Sequence, residues 1–422
     1  MIYIYNIALL FGLAAFIPYT VWRFFAGKET MDSLVQKFGF YRVAKPEKGG
    51  IWFHAVSVGE VNAAMPLVDS WIRRGGEKAI IFSASTQTGI SLAMSRLEGR
   101  ATVAYFPFDF PSAVKRGFSH FSPAAVVLME TEIWPNFIRH STGLGSRTIL
   151  INGRISDRSF GGYRKIRAII APALRQMDLL LMQSEDDARK IIELGAEGTN
   201  VRVTGNIKFD RPLPQPEDKV HVMERFGLPA GATILVFAST HPGEDDLFLG
   251  TIKELSARYD KLFPIIVPRH VERSSKLAHL CKKYGFAPVL RSAGEGREYG
   301  KNSVLLVDTI GELAQLYGAA DMAVIGGSFI SHGGQNPLEA SSWEVPVIFG
   351  PHMENFRDVS QKLKEAGAAV SAGNAHELKK TIEGWITDPE AKELAGRAGR
   401  QTVVNNRGAL EKTARSIEEL LG

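Results

Sequence analysis

The sequence predicts an α/β protein of two doubly wound parallel-sheet domains, preceded by a membrane-associated helix. Three observations predict it. Short apolar runs alternate with helix-length amphipathic stretches from residue 50 to residue 349. A proline-crowded segment at 210–218 (DRPLPQPED) interrupts that alternation once. Residues 2–22 contain no Asp, Glu, Lys or Arg.

The first series of apolar runs lies at 50–56, 79–83, 101–105, 124–129, 147–152, 179–182 and 201–204. Amphipathic stretches such as 61–74 and 89–97 separate them. Strands spaced by helix-length segments form parallel sheets with helices on both faces. The three prolines and several charges at 210–218 read as a linker. A second series follows at 233–238, 262–267, 287–290, 303–307, 322–325 and 346–349, and from Asn374 onward Leu, Ile and Ala recur at helical spacing. The expected division is therefore an anchor helix at 1–24, a first Rossmann-like domain at 25–208 and a second at 209–422. Open α/β sheets bind ligands outside the carboxyl ends of their strands, and the cleft between two such domains is the expected site.

The uncharged segment at 2–22 has about the 20 residues that a helix needs to cross a bilayer. It lacks the basic start and small-residue cleavage site of a signal peptide. Positive charge follows it instead, at Arg23, Lys28, Lys37, Arg42, Lys45 and Lys48. The positive-inside tendency then puts the remainder in the cytoplasm. Asn6, Gly12 and Pro18 weaken a span. An in-plane helix, or one buried against the first domain, stays open beside the spanning reading.

Composition bounds the function. At 422 residues the chain is long for one core, and 45% apolar with 23% charged residues is globular composition. The net charge of +5 suits anionic lipid or phosphate. Nucleic acid is disfavoured, because there is no zinc knuckle, RNP-like string or Lys/Arg block. Cys281 is the single cysteine, so no internal disulfide forms and a reduced structural thiol is expected.

Several clusters stand where strands end. HAVSVGE (54–60) delivers small residues and then Glu60 at a helix start, which suits an anion nest or a carboxylate held toward a ligand; a first-turn acidic residue favoured by the helix dipole is the plain alternative. METEIWPN (129–136) places Glu130 and Glu132 directly after an apolar strand, where a functional cleft or a structural ion pair would justify them. NGRISDRS (152–159) carries Arg154 and Arg158, either for phosphate recognition or as a solvated basic face. GNIKFD (205–210) sets Lys208 beside the linker. In the second half STHPGE (239–244), PRH (268–270), GEL (311–313) and GGSFISHGGQNPLE (326–339) follow strands, and a glycine-rich loop opening a helix suits a phosphate. The histidines are scattered and no Asp-x-Asp follows a strand, so no metal set is expected.

Taken in order, HAVSVGE, METEIWPN, NGRISDRS, TGNIKFD, STHPGE, VPRH, GEL and GGQNPLE resemble the bacterial Kdo (3-deoxy-D-manno-octulosonic acid) transferase family through about residue 365. The resemblance implies two Rossmann-like domains in the GT-B glycosyltransferase arrangement. It implies inverting, metal-independent transfer of Kdo from CMP-Kdo to a lipid A precursor, lipid IVA, in lipopolysaccharide synthesis, with no cofactor. It further implies Glu60 as the general base, with Glu130 and Lys208 supporting the transition state. CMP contacts would fall at Pro268 and Arg269, at Gly311, Glu312 and Leu313, and at Asn336, Pro337, Leu338 and Glu339. The setting implied is the cytoplasmic face of a bacterial inner membrane, with the lipid surface as a partner. A UDP-sugar transferase or epimerase on the same fold and a non-catalytic anchored binder are the competing readings. A nicotinamide oxidoreductase is weaker, because no G-x-G-x-x-G follows the first strand of either half.

Overall fold

The computed structural model describes residues 1–25, 29–73, 79–214, 219–294 and 299–422, and within the helix at 2–25 not the side chains of 13–17, 19–21 or 23. Lys28, Arg74 and the 215–218 part of the expected linker lie outside the described residues.

The chain divides into two compact units, Met1–Asp210 with Asn406–Gly422, and Arg211–Asn405. The first holds strands β1 (Ile51–Ala55), β2 (Ile80–Ala84), β3 (Thr102–Tyr105), β4 (Ala125–Met129), β5 (Arg147–Gly153), β6 (Leu179–Met182) and β7 (Val201–Val203). They form one sheet in the order β3-β2-β1-β4-β5-β6-β7, and every pairing is parallel. Helices cover both faces, so β1 is buried along its whole length rather than alternately. Its Ile51 and Phe53 join Val61, Leu67 and Ile417 in one core, while Trp52 packs with Phe118, Phe121 and Phe137 in the other.

The second unit holds β8 (Thr233–Thr240), β9 (Leu262–Pro268), β10 (Ala287–Leu290), β11 (Ser303–Leu306), β12 (Met322–Ile325), β13 (Val347–Phe349) and β14 (Ala369–Ser371). Their order is β10-β11-β9-β8-β12-β13-β14, again parallel throughout. Each sheet reverses direction of growth once, between β1 and β4 in the first unit and between β8 and β12 in the second. At such a reversal the loops diverge above and below the sheet and leave a crevice at the strands' carboxyl edge.

Two expectations change. The division at 209–422 does not hold for the tail, because the last helix, Ala409–Leu421, buries Ala409, Ala414 and Ile417 in the core of the first unit. Asp210 fixes that return, its carboxylate accepting from the Gly408 and Leu410 amides at 2.5 and 2.7 Å. β14 has no counterpart among the expected strands, since three residues between Gly367 and Gly373 give no readable period. Cys281 is buried and reduced, and burial first, then Asp245, pushes its thiol up to about 12.

The N-terminal segment is one α-helix, Ile2–Phe25, with Pro18 inside it. Among the described residues no helix is long and apolar enough to cross a membrane. Its first turns sit on the first unit through polar contacts: the Tyr5 hydroxyl donates to Asp109 at 2.8 Å, and the Asn136 amide donates to Asn6 at 2.7 Å. Asp109 also caps the helix Pro135–Gly143, accepting from the Asn136 and Phe137 amides at 3.0 and 2.7 Å. Burial drives its carboxyl up to about 7 against those three hydrogen bonds.

Candidate active site

In the first unit, Glu60 lies in the first turn of the helix Val58–Arg73, directly beyond β1. Its carboxylate folds back on its own turn. One oxygen accepts from the Val56 amide at 2.8 Å and the other from the Ser57 hydroxyl at 3.2 Å. Burial raises its pKa to about 7, helped by the negative charge of Glu130 and, less, Glu132, and opposed by the Val56 and Ser57 hydrogen bonds. A carboxyl poised there can exchange a proton near neutral pH.

Glu130 follows β4, on the other side of the reversal, with φ +54°. That left-handed backbone is costly for a residue with a Cβ and persists where surrounding contacts over-determine it. Here the Glu130 amide donates to Ile151 at 3.0 Å, Lys208 donates to one carboxylate oxygen at 2.9 Å, and Arg154 donates to the other at 2.6 Å. Burial pushes the Glu130 pKa up, but Lys208 and then Arg154 outweigh it and hold the carboxyl below its ordinary value. The sequence reading brought Glu130 and Lys208 together only through family resemblance; the structure joins them by direct contact. Arg154, read either as a phosphate grip or as part of a solvated basic face, turns its Nε to Glu130. Arg158 is exposed on the helix Asp157–Lys165.

Asn152 anchors this arrangement from β5. At φ +50° its side-chain oxygen accepts from the Ile207 amide at 3.1 Å, which fixes the short turn carrying Lys208. His54 lies wholly buried in β1, stacked on Phe106 at 3.7 Å. Its Nδ1 meets the Ser83 carbonyl at 3.2 Å, and its Nε2 faces the Glu132 carboxylate at 3.7 Å. Glu132 in turn accepts from the Trp134 indole at 2.7 Å. Neither Asn152 nor His54 carries a local sequence signal for these contacts, since sheet pairing sets His54 beside Ser83 and the chain returns 55 residues later to meet Asn152.

In the second unit the glycine-rich loop has a different use from the one expected. Glu244, fully buried, accepts from the amides of His241, Gly327, Ser328 and Phe329 at 2.9, 2.8, 3.1 and 3.0 Å. The amides at 327–329 therefore bind an internal carboxylate rather than an external phosphate. Gly326 is required by close approach, because a Cβ there would stand 2.4 Å from the Ser239 carbonyl oxygen. Ser239 itself has φ +55° at the point where β8 slips register against β9.

The other expected contacts gather around this junction or beside it. Pro268 ends β9 buried, paired with Thr240, and Arg269 is exposed with its amide donating to Thr240 at 3.0 Å. Gly311 turns at φ +91° before Glu312, which holds Arg291 at 2.9 Å and accepts from Thr309, and Leu313 opens the helix Leu313–Leu316. Asn336 accepts from the Leu338 amide at 3.0 Å, so this side chain caps the turn Pro337 enters; Leu338 is buried and Glu339 pairs with Arg211. His241, His270 and His332 cluster beside Arg269, a grouping unread in the sequence because β8, β9 and the loop after β12 supply one each.

Comparison with known proteins matches residues 32–211 to the family model for 3-deoxy-D-manno-octulosonic-acid transferase (kdotransferase) and residues 297–402 to that for glycosyl transferases group 1. The chain is 34% identical over 385 residues to a 3-deoxy-D-manno-octulosonic acid transferase of Haemophilus influenzae, covering 90% of this chain and 89% of that protein. It is 33% identical over 433 residues to the Bordetella pertussis protein of the same name, covering 99% of each. Among solved structures, a glycosyltransferase from Rickettsia africae superposes with a TM-score of 0.60 at 13% identity over 89% of this chain and 99% of that one, a likeness of fold alone. On the strength of these full-length relatives, the chain belongs to the 3-deoxy-D-manno-octulosonic acid transferase family.

Proposed function

We propose that this protein transfers Kdo from CMP-Kdo to a lipid A precursor, lipid IVA, inverting the anomeric carbon and using no metal ion. The observation that carries the reading is the carboxylate of Glu60, pinned beyond β1 with a pKa raised to about 7. As carboxylate it takes the proton of the acceptor hydroxyl. The freed oxygen attacks the anomeric carbon while the bond to the CMP phosphate breaks, and CMP leaves with that electron pair. General base catalysis of this kind contributes about 10²–10⁴-fold. Because the base works deprotonated, activity rises with pH through about 7 and levels off above it.

Glu130, Lys208 and Arg154 support the reaction as a platform of net positive charge, with the two cations fixed by the carboxylate they share. In the second unit the exposed Arg269 guanidinium supplies positive charge for the leaving phosphate. Glu312 and Asn336, both fixed by local hydrogen bonds, hold the loops expected to line the nucleotide.

The same reading places the protein on the cytoplasmic face of a bacterial inner membrane. Tyr3, Ile4, Ile7, Leu10 and Phe11 recur at helical spacing and are exposed, which supports a helix lying in the lipid interface. Basic residues that follow at Arg42, Lys45 and Lys48 suit anionic headgroups.

The test is Kdo transfer from CMP-Kdo to a tetraacylated lipid A precursor in EDTA, comparing wild type with Glu60→Ala. Wild-type turnover that falls at least about 10²-fold in the variant is expected. Equal activity in both removes Glu60 as the base. Wild-type inactivity with this donor, but turnover with a UDP-sugar, overturns the donor assignment.

A further inference from the structure

With its central amides turned to Glu244, the glycine-rich loop of the second unit does something else: it brings two imidazoles into contact. Gly327 has φ +67°, and a Cβ there would lie 3.2 Å from the His241 ring and 3.4 Å from the His332 ring. Those rings are 4.0 Å apart at 38°. His270 presents its edge to His241 at 5.9 Å from the end of β9. Gln335, from the same loop, points its amide nitrogen at His241 Nε2 over 3.0 Å. With the amide so oriented, Nε2 accepts and His241 carries its proton on Nδ1.

The groups around the pair are unequal in sign. Arg269, His270 and His332 are exposed on one side, with His241 buried beneath. Arg273 also faces His241 but is held by Asp245 and by the Thr240 carbonyl. The acidic neighbours are turned inward: Asp245 to Arg273, and Glu244 to the loop amides. On the far side of the loop Asn355 donates to the His332 carbonyl at 3.2 Å, and His352 lies against Glu354 at 3.3 Å. The exposed face of the cluster therefore presents the Arg269 guanidinium beside two imidazoles, and two imidazoles in ring contact do not readily both carry charge.

We propose that His332 and His241, with Arg269 and His270, form a proton-coupled anion subsite, in which a nucleotide phosphate binds together with one proton held on the imidazole pair. The inference rests on reading the second unit as the nucleotide-binding half. Without an anion, burial and then His332, His270 and the two arginines depress His241 to about 4, so it is neutral at pH 7. A phosphate opposes that field, and the complex then holds more protons than the unliganded protein. By linkage, the subsite's contribution to affinity grows as pH falls and fades as pH rises past the point where the complex also loses the proton.

Calorimetric titration of the full chain with CMP, in two buffers of different ionisation heat at pH 7, tests this. Cytidine and UMP are the comparison ligands, because cytidine lacks the anion and UMP changes only the base. The wild type should bind CMP with net proton uptake. His332→Gln should lose that uptake and about tenfold in CMP affinity while binding cytidine as before. The phosphate's own titration near pH 6 is common to both proteins and cancels in the comparison. His332→Gln binding CMP as tightly and with the same uptake overturns the subsite, as does a parallel loss of cytidine or a wild type that binds neither nucleotide. Equal affinity and equal uptake with UMP leave the subsite standing and overturn the cytidine donor instead.

Discussion

Both units build their candidate sites at the point where the sheet reverses, yet they solve opposite electrostatic problems. In the first, the carboxylates of Glu60, Glu130 and Glu132 crowd together, and the strain of bringing like charges close is offset by two cations on Glu130 alone. In the second, arginines and histidines crowd together, and the fully buried carboxylate of Glu244 is committed to backbone amides. A shared architecture thus fixes where chemistry happens but not its sign. The first unit leaves one carboxyl able to exchange a proton near neutral pH; the second leaves the exposed Arg269 guanidinium beside its imidazoles.

Removing Glu244 should break the comparison most severely. Glu244→Ala strands the amides of His241, Gly327, Ser328 and Phe329, three of them buried, and should cost the second unit about 3 kcal/mol or more. Urea unfolding should show an early transition with the first unit's transition unmoved. A single unshifted transition would mean that water satisfies those amides as well as the carboxylate does.

The first unit offers a sharper contrast through its charges. Lys208→Met takes one cation from Glu130, so Glu60 feels more negative charge and the acid limb of kcat/KM should move up by roughly half to one pH unit. Glu130→Gln removes the charge that raises Glu60 and leaves the cations, so the limb should move down. Shifts in the same direction would show that Glu130 does not act on Glu60 through its charge. The smallest effect belongs to Ser57→Ala. Loss of the hydroxyl that donates to Glu60 at 3.2 Å should lift the limb by a few tenths of a pH unit, about the worth of one weak hydrogen bond.

Much of this was legible in the residues because its signals are local. Short apolar runs announced thirteen of the fourteen strands among the described residues, most of them buried on both faces, and strand-end polar clusters marked Glu60, Glu130, Arg269 and the 326–339 loop. What stayed unread depends on chain segments meeting at a distance. Glu244 reads only as part of the STHPGE cluster that ends a strand, and the approach of a loop more than eighty residues later turns it into an internal anion. The Gly-rich loop reads as a phosphate cradle for the same reason, since sequence shows its amides but not their partner. The tail reads as part of the second unit because helical spacing says what a helix buries, not against which sheet.

The return of the final helix also orders events during synthesis. The second unit, 211–405, is inserted within the first, and Asp210 ties together the two ends of the interruption through Gly408 and Leu410. As the chain leaves the ribosome, the inserted unit has every residue it needs before the host unit does. The host's core stays open at Ile51, Phe53 and Val61 until Ala409, Ala414 and Ile417 arrive. A released chain that ended near residue 405 would therefore carry every residue of the inserted unit and, in the host, an apolar surface awaiting its last helix, and it is in that state that a chaperone would be most needed.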